Sequence, residues 1–212
     1  MAKTFAAFPL NLVCFPGEKQ NLHIFEQRYR SLIKDCLKNE MTFIIVPIVE
    51  GKPYHLGTEM NLEHVDKMYA DGKSDVTVKA VQLMKISRLT QTMGDKAYPG
   101  VQGIKISWNM DSDIEKCKLL HGLIIELYSA LNIDNVKIPT AEELTCAKVV
   151  HKLGLSFEQE LKVLGIETEK GRIEYLIGHL KAFIPTVNLA ENLKIMAALN
   201  GHYKNISPEK LF

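Results

Sequence analysis

Phe8-Pro9-Leu10, Phe15-Pro16-Gly17 and Leu22-His23-Ile24-Phe25-Glu26-Gln27-Arg28-Tyr29 follow one another within residues 8–29. Pro9 and Pro16 fix φ and remove a backbone donor, so each suits a strand end or a turn and not a strand interior. Gly17 directly after Pro16 lets the chain reverse. From Glu26 onward the apolar positions are Tyr29, Leu32, Ile33, Cys36 and Leu37, the spacing of a helix with one buried face. Arg28, Arg30, Lys34 and Lys38 occupy its other sides, and Glu26 near the start and Lys38 near the end both suit the helix dipole. The stretch therefore predicts a strand, a turn, and an amphipathic helix from Glu26 to about Lys38.

Outward from this stretch, the texture changes near residue 110. Before it, short β-rich runs alternate with turn signals. Met41 to Val49 is nearly continuously apolar and predicts a buried strand, with Pro47 marking an edge or a bulge. Gly57-Thr58 opens a run through Val65. Asp71-Gly72 is a hairpin signal, followed by Val76, Val78 and Ala80 alternating with Thr77 and Lys79. Ile86–Thr92 and Val101–Trp108 are two further strand candidates. About six short strands at this spacing predict a small barrel or curled sheet.

After residue 110 helix signals dominate. Ser112 with Glu115, Thr140 with Glu143, and Ser156 with Gln159 fit capping boxes. Leu119, Leu120, Leu123, Ile124 and Leu127 form one stripe; Ile173, Leu176, Ile177 and Leu180 form another; Leu189, Leu193, Met196 and Leu199 form a last one. Pro139 and Pro185 are expected to break between segments. The expectation is an α+β fold: a β-barrel of about six strands with one embedded helix over residues 1–110, then a bundle of four or five helices over residues 111–212.

Composition excludes several functional classes. The chain has 26 Lys plus Arg against 25 Asp plus Glu, and the two halves carry +3 and −2, too little charge to make nucleic acid or an anionic membrane the main partner. Cys14, Cys36, Cys117 and Cys146 contain no C-x-x-C pair and are expected as small buried thiols in a reducing compartment, not as a disulfide framework. The start lacks an apolar signal core and no run of about 18 apolar residues occurs, so a cytoplasmic location is expected. Asn205-Ile206-Ser207 is then a chance sequon.

The wording of residues 8–29 resembles the amino-terminal, substrate-binding domain of the Lon protease (peptidase S16) family, which reads as a strand with Pro-Leu, a Phe-Pro-Gly turn, and Leu-His-Ile-Phe-Glu-Pro-Arg-Tyr opening a helix. Asp35-Cys36, Gly57-Thr58, the run Asp71–Ala80 with Lys85-Ile86, and Leu155-Ser156 through Leu164 followed by Arg172-Ile173-Glu174-Tyr175-Leu176 are similar to later family features, in order. Asn21 and Gln27 stand where the family usually has proline. The resemblance implies a PUA-like β-barrel followed by a helical bundle, and a domain that holds polypeptide without catalysis of its own. The ATPase P-loop motif is not met: Gly72-Lys73-Ser74 would need a glycine at position 67, which is Lys67. Nor is there a Gly/Ser/Ala-rich loop for a Ser–Lys peptidase. No cofactor is implied.

Three chemistries other than polypeptide binding make distinct demands on the residues. A hydrolase would need His23 and Glu26 to converge on one substrate proton, and the simpler arrangement pairs Glu26 with Arg28 and leaves His23 at the barrel edge. His23, His55, His64, His121, His151, His179 and His202 show no H-x-x-x-H spacing, so no metal site is expected. RNA binding would need a basic stripe with aromatics; Lys79, Lys85 and Arg88 could line one, among interspersed acids. Trp108 and Tyr98 are expected at the core or barrel rim. The favoured expectation is a binding module for unfolded or client polypeptides, with a separate protease or a second copy as further partners. Its candidate surface comprises Phe15, Pro16, His23, Phe25, Glu26, Arg28 and Tyr29.

Overall fold

The computed structural model describes residues 4–134 and 136–203, with side chains through Leu189. Two compact units result. Of the described residues, those up to Met110 together with Leu155–Thr168 form one, and those of Asp111–Gly154 with those from Glu169 to Tyr203 form the other.

The first unit is a six-stranded mixed sheet. Its strands are β1 (Thr4–Pro9), β2 (Lys19–Ile24), β3 (Phe43–Val46), β6 (Leu56–Met68), β7 (Ser74–Thr90) and β8 (Gly100–Ile106), with β4 (Ile48–Val49) and β5 (Lys52–Pro53) pairing separately. The order is β2-β7-β6-β3-β1-β8, and β8 pairs with β7 as well, so the neighbours run from β7 round to β7 again. β1 and β3 are parallel, with Ala6 opposite Phe43 and Pro9 opposite Val46; the other pairs are antiparallel. Both faces of the parallel pair are covered, which is why these strands read as unbroken apolar runs. Ala6, Phe8, Phe43 and Ile45 face one core with the helix α1 (Gln27–Asn39), whereas Phe5, Ala7, Ile44 and Val46 face a second core with Met84 and Val101.

Within this unit α1 buries Tyr29, Leu32, Ile33 and Cys36, as its spacing demands, while Leu37 is exposed. Pro47 ends β3 and the chain turns through Glu50 and Gly51, both at positive φ, into β5. Gly57, the second residue of β6, is glycine because nothing larger fits: a Cβ there would stand 2.8 Å from the Ile45 carbonyl oxygen. The adjacent Thr58 hydroxyl donates to the Cys14 carbonyl at 2.6 Å. Two strands expected separately, before and after Val81, are one 17-residue strand, β7, bent by register shifts. A bent strand can serve β2 and β6 at one end and β8 at the other.

The second unit holds α2 (Ile114–Ala130), the short α3 (Cys146–Val149) continued by a 3-10 turn through Lys152, and α5 (Glu169–Tyr203). α2 presents Cys117, Leu120, Ile124 and Leu127; α5 presents Ile173, Leu176, Ile177, Leu180, Ile184 and Val187, and the two helices pack together. Here the sequence expectation needs correction. Asp113, not Ser112, caps α2, accepting from the amides of Glu115 and Lys116. Thr140–Glu143 forms a turn instead of a helix. Pro185 lies inside α5 and does not break it. An interior proline costs about 3 kcal/mol, and Ile184 and Val187, buried on either side of it, oppose that cost. The helix α4 (Phe157–Leu164), capped by Ser156 and Gln159 as expected, belongs with the sheet unit and not with the helices. The side chains of Leu193, Met196, Leu199 and His202, and the Asn205 sequon, lie outside the described residues.

Candidate functional site

The turn Phe15-Pro16-Gly17 is built from below. Phe15 is fully buried, its backbone amide donates to the Glu18 carboxylate at 2.9 Å, and Gly17 takes φ +100°, a conformation that favours glycine. Its amide then joins the sheet through the Ala80 carbonyl. From this turn β2 runs along β7, with Leu22 and Ile24 inward and His23 outward. Among the described residues β2 pairs with β7 alone, so its other edge is open.

Beside β2 lies a groove of about 260 Å³ lined by Phe8, Pro9 and Leu10, by Asn21–Glu26, and by Arg28 and Tyr29. Its floor is aromatic: the Phe8 and Tyr29 rings stack with centroids 3.9 Å apart. Phe25 stands on the rim with 58% of its surface exposed. Arg28 donates through Nε and Nη2 to Glu26 Oε2 at 2.9 and 2.8 Å, and its guanidinium lies 4.6 Å from the Tyr29 ring centre. Burial pushes the Tyr29 hydroxyl above its ordinary value, against the lowering pull of the neighbouring Arg28 cation. On the outer face His23 Nδ1 meets Asp75 Oδ1 at 2.6 Å, and the Tyr69 hydroxyl donates to Asp75 Oδ2 at 2.7 Å. These two bonds, His23 first, hold the Asp75 carboxyl below the usual carboxylate range. The His23 ring stacks near Phe25 and meets Tyr69 edge-on.

Five of the seven candidate residues thus come together: His23, Phe25, Glu26, Arg28 and Tyr29 line one groove. Phe15 and Pro16 do not. Both are buried and support the turn, so they correct the expectation of a surface role. His23 and Glu26 engage different partners, Asp75 and Arg28, so the acid–base pair a hydrolase would need is not assembled. All four cysteines are free and buried; burial raises the Cys36 thiol to about 12 and the Cys14 thiol further still. Tyr98 is buried and donates to Asp35 at 2.8 Å. Trp108 is half-buried beside Phe15 and lines a second cleft that the sequence did not reveal, because its lining is scattered from His55 to Thr168.

The sequence matches the profile of the ATP-dependent protease La (LON) substrate-binding domain over residues 4–182. This chain belongs to that family. The fold agrees. A Lon N-terminal domain protein from Xanthomonas campestris superposes with a TM-score of 0.65 at 23% identity, over 83% of this chain and 98% of that one. The N-terminal domain of the Mycobacterium avium complex Lon protease superposes at 0.63 and 17% identity, over 84% and 98%. No curated protein matches the sequence. As a LON substrate-binding domain the chain is a binding unit by family, and none of the described helices is long and apolar enough to cross a membrane.

Proposed function

We propose that this chain is a non-catalytic polypeptide-binding module serving protein turnover, and that the groove beside β2 is where it holds an extended segment. The observation that carries the reading is Phe25, an aromatic side chain left 58% exposed on the rim of an aromatic-floored groove next to an unpaired strand edge. A large apolar group in that position is a cost to the isolated molecule and a gain once a partner covers it. An open edge offers main-chain donors and acceptors to any sequence, and alternate side chains of the added strand enter the groove, which suits clients that share no motif. The scaffold is taken as a PUA-like barrel, a reading supported by neighbours that return to β7. The test is binding of an unfolded protein, reduced casein, to the purified chain. Micromolar binding that Phe25→Asp weakens supports the proposal, and absence of binding at that concentration removes it.

A further inference from the structure

We propose a second recognition site in the sheet unit, one that captures the carboxyl-terminal residue of a polypeptide when that residue is apolar. It rests on the polypeptide-binding reading and adds to it the part of the client that is read. The site is a cleft of about 600 Å³ formed by the start of β6, the middle of β7, the end of β8 and the segment after α4, a size within the range of pre-formed ligand pockets. Leu56, Leu83 and Leu164 give it an apolar lining, and Trp108 adds an aromatic wall set against the buried Phe15 ring, with centroids 6.1 Å apart. Because Phe15 is itself fully buried, Trp108 is held as a rigid platform, which lowers the entropy lost when a side chain packs on it.

The same cleft carries charge of one sign at one end. Lys85 lies opposite Leu56 in the strand register, and the Ile86 amide donates to the His55 carbonyl, so Lys85 and His55 come from adjacent positions of neighbouring strands. Both are exposed, and Lys85 has no acidic partner among the described residues. The remaining wall is the carbonyl end of α4 and the segment Gly165–Thr168, with Glu167 as its acidic group. The α4 carbonyls of Leu161, Lys162 and Val163 are already taken by the amides of Gly165 and Ile166. The cleft therefore offers an apolar platform and a cationic end. An apolar terminal residue presents the matching pair: a side chain and a carboxylate. An internal residue of the same type lacks the carboxylate, and a charge-assisted hydrogen bond is worth roughly twice a neutral one.

Trp108 is the only tryptophan of the chain, so its emission reports occupancy directly. Three ligands are titrated into the full chain: a short peptide ending in Leu with a free carboxylate, the same peptide amidated, and N-acetylleucine. The free acid peptide should shift the Trp108 emission and bind about tenfold tighter than the amide. Lys85→Gln should abolish that preference, and Lys85→Arg should retain it. Equal binding of acid and amide, or a preference that survives Lys85→Gln, overturns the proposal, and N-acetylleucine binding as tightly as the peptide overturns it in favour of a small-acid site. Reduced casein is run beside them: casein binding without a carboxylate preference sinks this inference alone, and loss of casein binding sinks the polypeptide reading as well.

Discussion

Two Glu–Arg pairs on this chain use the same chemistry in opposite surroundings. Glu26 and Arg28 meet at the groove rim with both side chains about half exposed. Glu169 and Arg172 meet at the start of α5 with side-chain exposures of 1% and 0%. At the rim, water solvates each partner and the pair holds a shape at little energetic consequence. In the second unit neither charge has water to fall back on. Arg172 donates to Glu169 Oε2 at 2.8 Å, while Glu169 Oε1 accepts from the Cys146 amide at 2.5 Å and so ties α5 to α3. The lesson is that residue type proposes an interaction and burial decides its role: losing one partner should matter little at the exposed rim and a great deal in the buried pair.

The largest expected effect tests that contrast. Arg172→Ala leaves the Glu169 carboxylate buried and unpaired and should lose about 3–5 kcal/mol in urea unfolding. The double variant Glu169→Gln/Arg172→Met keeps an acceptor for the Cys146 amide and should lose much less than Arg172→Ala alone. If Arg172→Ala unfolds like a surface variant, the comparison fails.

A second contrast sits within the opening motif. Phe15→Ala empties a fully buried site and should cost about 3–5 kcal/mol, with the folded fraction losing less casein affinity than Phe25→Ala does. Phe25→Ala should leave stability within about 0.5 kcal/mol and weaken casein binding about fivefold or more. Reversal of the two readouts would place Phe25 in the packing and remove the groove's main support.

Smaller still, Glu26→Gln should cost about 0.2–1 kcal/mol at low salt and nothing measurable at high salt. The pH dependence is a finer probe. The Tyr98 hydroxyl, and then Lys96, hold the Asp35 carboxyl below its usual range. A depressed folded value means stability that is complete above the ordinary carboxylate value of about 3.9 and withdrawn as pH falls through the folded one. Asp35→Asn should therefore lower the urea midpoint near neutrality and fall less steeply than the parent on acidification. Parallel curves for the two proteins would show that Asp35 does not couple to folding.

Much of this was legible in residue order. The prolines and Gly17 placed the turn, the three-four spacing from Tyr29 placed α1, and Ser156 with Gln159 placed the start of α4, because each is a local preference that needs no distant partner. The groove's near side was legible too, since His23 through Tyr29 are contiguous in sequence. Its far side, Phe8 to Leu10, belongs to the same sequence motif, but only the sheet brings it across. What stayed hidden depends on distant residues. Nothing near Ser156 says that α4 joins a sheet whose strands ended some fifty residues earlier. Nothing near Pro185 says that α5 continues through it with buried side chains on either side.

The chain's own order of residues determined its family, its turns and which face of α1 is apolar, since short-range sterics and periodicity are written into neighbouring positions. Only the tertiary structure decided which of two phenylalanines in one motif meets water, which Glu–Arg pair is buried, and that His55, Lys85, Trp108 and Leu164 border one cleft. Solvent access is a property of the assembled fold, and it sets the energetic weight of every charge and every apolar group.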